Sequence, residues 1–451
     1  LGVSRGGRVV FLHAYGNLTP DQPLPETALF RLASVTKPIT AAAIHRWSQA
    51  AGLGPAQLQR RVFNLASNGG VLNVTPAGTA DPNLPAITVG HLLDHSAGWD
   101  RAVANPGDIP ITRVRTAGIA MNQPDALPTR VQLIDWALQF PLNYPPAAAL
   151  YAAPGGTPVV PGPGTTYSNF GYLILGEILQ ATAPGGYLGY LGSEVLSAAN
   201  WIPTTDWGAA SSLAEGRHPR EPVYVSAEGP FSSVFDYGNS PAQLPAQYGG
   251  LYHLETMLAH GGLIASAQAV LQFGTLFSVA YTTRGIGATQ SNDLGLPVST
   301  NGLPTGSDSL HTGSLPGAST ILRQRGVGAG PADDEVIFIA FNERHEPPAG
   351  TPVQDWALTA SGLVTAYLDL ITLAGTWPTE RCDGFWVRLG PEEASSGHGG
   401  YHSNYRGLQS ALNRVGDGSD LRLRPGQQNW RGTIRKRLRL DAPEGAVVLG
   451  R

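Results

Sequence analysis

A chain of 451 residues is long enough for two or three domains, each with a core of its own, which excludes a mini-protein. A net charge of −4, with only 14% of residues charged, leaves no basic excess, so nucleic acid is excluded as the expected partner. The single cysteine, Cys382, excludes an intramolecular disulfide and a thiolate metal cluster, and neither a metal nor a cofactor is expected.

The chain opens at Leu1 without a charged-then-apolar leader; a signal peptide is absent or removed, and an exported location, periplasmic or extracellular, is the expectation. Residues 7–15 (GRVVFLHAY) read as a strand after a Gly-Gly turn, and residues 34–51 as a helix with Ile39, Ala43 and Trp47 along one face. Helical pieces follow at 88–93 and 131–142, then a Pro- and Gly-rich loop over 145–164 and a strong helix over 170–181. Residues 201–247 have little periodicity and read as surface loop. The uncharged stretch 257–283 predicts a buried helix, and no membrane span is expected. Past a helix from about Ser266, residues 319–325 and 335–342 read as neighbouring antiparallel strands. Residues 352–373 form an amphipathic helix with Trp356, Ala360, Leu363, Tyr367 and Leu370 on one face. A boundary follows near Gly375: residues 381–451 carry +5, against −9 for residues 1–380, and read as a small β module.

Of the 29 basic residues only Lys37 and Lys436 are lysine. An amine that must give up its proton is a role arginine cannot take, which singles out Lys37. Ser34 lies three residues earlier at the start of a helix, so the two side chains share a face one turn apart. A serine hydroxyl becomes a nucleophile when a base takes its proton, and a partly desolvated lysine near a helix N-terminus can serve. The stretch PGTTYSNFGYLILGEIL supplies a second element, Tyr167-Ser168-Asn169, placed immediately before a helix. The same Y-x-N pattern at Tyr15 and Tyr237 lacks that helix. A third element, His311-Thr312-Gly313, precedes Ser314 on or beside an edge strand, where glycine allows close approach of substrate to the backbone.

In this order, Ser-x-x-Lys, Tyr-Ser-Asn and His-Thr-Gly resemble the three motifs of the penicillin-recognising serine hydrolases, in the branch of class C β-lactamases, DD-carboxypeptidases and β-lactamase-like esterases. The segments ITVGHLLDHSAGW, GGLIASAQAVLQFG and HTGSLPGAS extend the resemblance from about Gly2 to Leu373. It implies an α/β (α+β) fold: an antiparallel sheet flanked by helices over residues 1–376, with a helical subdomain inserted at about 96–250, followed by the small β module. It implies Ser34 as the acylated nucleophile, Lys37 and Tyr167 as the proton-transfer pair, and Asn169 as a ligand for Lys37 and the acyl chain. His311, Thr312 and Gly313 would border the leaving group, and the N–H groups of Ser34 and Ser314 would form the oxyanion hole.

His91 and His95 have a metal-compatible spacing with no third ligand. Arg323 and Arg325 either bind a substrate carboxylate or form a solvated face. Residues 420–450 look like one rung of a right-handed parallel β-helix, which cannot make a core alone; it must pack on the hydrolase domain, pair with another chain or begin a longer module. The expected partner is a small ester or acyl-peptide. His311 stands where a β-lactamase carries a cationic lysine, and uncharged esters suit the aromatic and proline-rich loops near Trp99, Tyr144 and Pro145. Ester hydrolysis therefore ranks first, DD-peptidase second and β-lactamase third, with a catalytically silent binding module as the alternative from another class.

Overall fold

A computed structural model of the chain describes residues 1–50, 52, 55–65, 67–101, 114–121, 127–143, 167–199, 206–280, 294–344, 355–374, 385–388, 405–414, 420–430, 433–435, 439–442 and 447–449. The loop expected over 145–164, with Tyr144 and Pro145, lies outside them.

Strands β1 (Gly2–Arg5) and β2 (Arg8–Leu12) form a hairpin whose two-residue turn, Gly6 and Gly7, has φ of 54° and 76°. Two successive positive φ values match the right-handed twist of the strands and call for glycine at both positions. Strand β3 (Leu29–Arg31) runs into a 3-10 turn, Ala33–Val35, and then helix α1 (Thr36–Ala50). The first domain continues with α2 (Val89–Leu93), α3 (Arg130–Ala137), α4 (Asn169–Thr182), β4 (Trp207–Ala209), β5 (Leu263–Ser266) and α5 (Ala267–Leu276). It closes with β6 (Asp308–Leu315), β7 (Ala318–Gly326), β8 (Asp334–Phe341) and α6 (Trp356–Ala374). The stretch 257–283 is therefore not one helix: among its described residues, Met257 ends a 3-10 turn, the Gly261-Gly262 pair precedes strand β5, and α5 follows as an α-helix.

The main sheet has the order β6-β7-β8-β1-β2 and is antiparallel throughout, with Gly2 opposite Phe338 and His311 opposite Leu322. Side chains alternate across it. Leu322, Val336 and Phe338 join the large core under α5, whereas Ile321, Ile337 and Ile339 join a second cluster under α6.

Helix α6 departs from the sequence expectation. Ala357, Ser361 and Leu368 are the residues buried against the sheet, while Leu363, Tyr367 and Leu370 are 64%, 70% and 62% exposed. The helix has apolar residues on both faces, so periodicity could not choose between them. By length and composition alone Trp356–Leu373 is also long and apolar enough to cross a membrane. Arg323 and Arg325 lie on the same side of the sheet: Arg323 pairs with Asp308 and donates to Ser361, and Arg325 pairs with Glu335 and Asp369. Both arginines hold the sheet and α6 together.

The second sheet, β3-β5-β4, carries the chain into the turn that holds Ser34. Arg31, on β3, is 1% exposed; it donates to the carbonyls of Gln247 and Ser211 at 2.7 and 3.0 Å and lies 4.2 Å over the ring of Tyr224, with Glu221 at 3.8 Å. Ser212, Glu221 and Tyr224 are buried as well. The stretch 201–247, expected as surface loop, is in part a cover over that arginine, with backbone groups satisfied by side chains in place of regular structure.

In the C-terminal region β9 (Phe385–Arg388), β10 (Asp420–Arg424), β11 (Gly426–Gln428), β12 (Arg439–Asp441) and β13 (Val447–Leu449) pair in parallel, β9 with β10, β10 with β12, and β11 with β13. Residues 420–450 thus hold two stacked coils, not the single rung read from sequence. Stacking buries Val387, Leu408, Ala411, Leu412, Leu421 and Leu423 together, a core one rung would lack. An ion pair between Arg422 and Glu26, 2.8 Å, ties this region to the residues before β3.

Candidate active site

The turn that carries Ser34 is set by tight packing against the main sheet. Ala33 has φ +48°, a left-handed conformation that is unfavourable by roughly 1 kcal/mol or more for a residue with a Cβ. Two bonds to one carbonyl hold it there: Val35 N–H and the Thr320 hydroxyl donate to Leu32 O at 3.1 and 2.8 Å. A Cβ on Gly313 would stand 2.3 Å from that same oxygen and 2.3 Å from Thr320 Oγ1. Glycine at 313 therefore serves the approach of β6 to the Leu32–Ala33 backbone. This packing brings the Gly313-Ser314 backbone alongside the turn that carries Ser34.

Lys37, fully buried on α1, gathers the site. Its Nζ lies 3.1 Å from Ser34 Oγ, 2.7 Å from Asn169 Oδ1 and 2.9 Å from the His260 carbonyl. An ammonium has three donors for these three acceptors. A neutral amine has two N–H donors and one lone pair, and can donate to Asn169 and His260 while accepting from the Ser34 hydroxyl. Both protonation states are satisfied without movement, which a proton shuttle requires.

Tyr167 and Asn169 are delivered by the start of α4. Ser168 caps it, its hydroxyl accepting from Gly171 N–H at 3.1 Å, and Ser168 N–H donates to His95 Nδ1 at 3.1 Å. The His95 ring lies 4.7 Å from that of Tyr167, and the Lys37 ammonium lies 4.6 Å from the Tyr167 centroid. The other Y-x-N tyrosines are elsewhere: Tyr15 is 66% exposed, and Tyr237 packs over Gly118.

His311 sits on edge strand β6, its Nδ1 3.0 Å from the Thr312 carbonyl, which marks Nδ1–H as donor. Burial, with a further contribution from the Lys37 charge, pushes its pKa down to about 3, so the imidazole is neutral at working pH. Thr312 is half-buried and Ser314 exposed on the same strand. Arg344 donates to Ser314 Oγ at 3.2 Å while paired with Glu228.

Several of these residues carry no sequence signal for the site. His91 and His95 both lie in the family-like segment ITVGHLLDHSAGW, but no motif assigns His95 to the site; it backs the start of α4, while His91 caps α2 through Thr88. His260 and Arg344 sit in no motif and become neighbours of the site only through tertiary packing. Among the described residues no group of three metal-ligating side chains occurs. Trp99 is buried against Phe170 and Phe63, centroids 4.7 and 6.5 Å away, and so belongs to the core and not to a substrate-facing loop.

A family model described as Beta-lactamase matches residues 1–358. The D-amino acid amidase from Ochrobactrum anthropi SV3, solved with L-phenylalanine, is similar with a TM-score of 0.50 and 17% identity over 83% of this chain and 94% of that one. The octameric penicillin-binding protein homologue from Pyrococcus abyssi gives 0.46 and 18% over 81% and 72%. At 17% identity the likeness to the amidase is one of fold.

Proposed function

Since the chain belongs to the β-lactamase family, within the serine hydrolase superfamily of that fold, we propose that it is a carboxylic ester hydrolase acylated at Ser34. The observation that carries this reading is the triple coordination of the buried Lys37 amine by Ser34, Asn169 and the His260 carbonyl. Ser34 Oγ attacks the ester carbonyl as its proton passes to Lys37 or Tyr167. The oxyanion is received by the N–H groups of Ser34 and Ser314, each such donor being worth about 3 to 4 kcal/mol. Tyr167 returns the proton to the departing alkoxide, and water then hydrolyses the acyl-enzyme by the same steps in reverse roles.

The leaving-group side supports an uncharged substrate. His311 is neutral there, and Arg344 already faces the carboxylate of Glu228. A substrate carboxylate would have to compete with Glu228, whereas an ester loses nothing.

The test is a panel of short-chain aryl esters, a chromogenic cephalosporin and an acyl-D-Ala-D-Ala peptide, ranked by kcat/KM with Ser34→Ala as blank. The best ester is expected to lead. A higher value for the cephalosporin or the peptide overturns the ester assignment, and no turnover beyond the blank favours the binding-module alternative.

A further inference from the structure

Tyr167 is contacted by two cations, and the chemistry above uses only one. Lys37 Nζ lies 4.6 Å from the centroid of the ring, and the guanidinium carbon of Arg101 lies 4.8 Å from it. The two cations differ in kind. Lys37 is buried and held by three acceptors; Arg101 is exposed. Residue 101 is fixed beside Tyr167 by its backbone, since Arg101 N–H donates to the Tyr167 carbonyl at 3.2 Å. The backbone of residue 101 is therefore held beside Tyr167 by a main-chain bond that a substitution such as glutamine or lysine keeps, and from it the Arg101 side chain reaches the ring face.

The other groups around the ring are accounted for. His95 lies tilted against it, ring centroids 4.7 Å apart, and is held neutral by burial, and His311, whose charge would act on His95, is neutral as well. Asn169 is uncharged. Asp100, the neighbouring carboxylate in the chain, is buried with its backbone N–H on Asn143 Oδ1. A cation on the face of a phenol is attracted weakly; when the phenol ionises, the ring itself carries negative charge and the attraction grows. Arginine suits this placement because its planar guanidinium can lie against the ring and keeps its charge at every working pH.

We propose that Arg101 is a positioning residue for proton transfer: resting on the face of Tyr167, it stabilises the phenolate that takes the Ser34 proton. The step balances, because the proton that leaves Ser34 Oγ for the Tyr167 oxygen is returned to the departing alkoxide, and Arg101 exchanges none. This inference rests on the serine-hydrolase reading, with Tyr167 in the proton path.

The experiment follows the Tyr167 phenol directly in the full chain, which needs no turnover. Protein labelled with 13Cζ-tyrosine is titrated by NMR, the Tyr167 signal being the one lost in Tyr167→Phe. In Arg101→Gln its midpoint is expected to rise by roughly half a unit to one unit of pH, the effect of one exposed charge about 5 Å away, and Arg101→Lys should recover most of the shift. In wild type, 1 M salt should raise the midpoint in the same direction, because an exposed charge is screened; this arm needs no variant. The acid limb of kcat/KM toward an aryl ester should move with the titration. An unmoved midpoint in Arg101→Gln, or a wild-type midpoint indifferent to salt, overturns the proposal, as does an activity loss without a shift, which would mark Arg101 as a substrate contact. Absence of any ester turnover would instead count against the proposed function, and the titration would still decide the role of Arg101.

Discussion

Replacing Gly313 by alanine tests how closely β6, with the proposed oxyanion donor Ser314, is pressed against the turn that carries Ser34. The new Cβ would meet Leu32 O and Thr320 Oγ1 at 2.3 Å each and Ala33 Cβ at 3.1 Å, so ordinary contact requires about 1 Å of separation between β6 and the turn. Neither neighbour is the end of a flexible side chain. Overpacking of this kind is destabilising by about 1–3 kcal/mol, and disturbing the Thr320 bond to Leu32 O adds about 1 kcal/mol more. A displacement of that size between nucleophile and oxyanion donors lowers kcat on the order of 100-fold. Thr320→Val separates the two effects, since it removes the hydrogen bond without the clash: it should lose about 1–2 kcal/mol of stability and keep kcat within a few-fold. The assay is urea unfolding together with aryl-ester kinetics on each variant. A folded Gly313→Ala protein with kcat within three-fold of wild type would refute the argument.

Lys37→Arg should fail nearly as badly as Lys37→Ala, because arginine keeps the charge but releases no proton; activity within a few-fold of wild type would leave Lys37 a purely electrostatic part. His311→Lys adds a cation beside the leaving group, and the ratio of kcat/KM for a carboxylate-bearing cephalosporin to that for a neutral ester should rise; an unchanged ratio would contradict the placement of His311 at that side. The stability of the fold should fall in mild acid. The pKa of His45 is pushed down to about 4 and that of His311 to about 3, and burial also drives His95 and His260 well below the ordinary value. The unfolded chain therefore binds more protons, so this stability is complete above about pH 6.5 and lost as pH falls toward the folded-state values, at up to about 1.4 kcal/mol per pH unit for each imidazole. A melting temperature flat between pH 7 and 5 would count against four buried neutral histidines.

The legible parts of the site are those whose geometry is local. Ser34 and Lys37 meet because three residues span one helical turn, and Tyr167 and Asn169 travel together into the start of α4. What joins the two groups is not local: the Lys37 bond to Asn169 spans 132 residues, and its bond to the His260 carbonyl spans 223. Motif order hinted at the first, through the resemblance; nothing in the sequence marked the second. In the main sheet β2, β7 and β8 were readable as extended segments and β6 through the triplet it carries, whereas β1 and the strands of the second sheet, β3, β4 and β5, are three or four residues long and too short to show a period. Helix α6 misled for the opposite reason, with apolar residues all round. The cover over Arg31 was missed because buried irregular chain has no period at all.

The position of β1 has a consequence for how the molecule is made. Its hydrogen-bonding partner on the far side from β2 is β8, with Gly2 opposite Phe338. At 5–20 residues per second, a ribosome needs roughly 20–70 s to supply that partner after the hairpin has emerged. Throughout that interval a twisted pair of strands with apolar side chains on both faces offers an unpaired edge to any other chain. Of the five strands in the main sheet the last to be synthesised is thus the one that seals β1, and that edge stays open until long after Ser34 itself has been added to the chain.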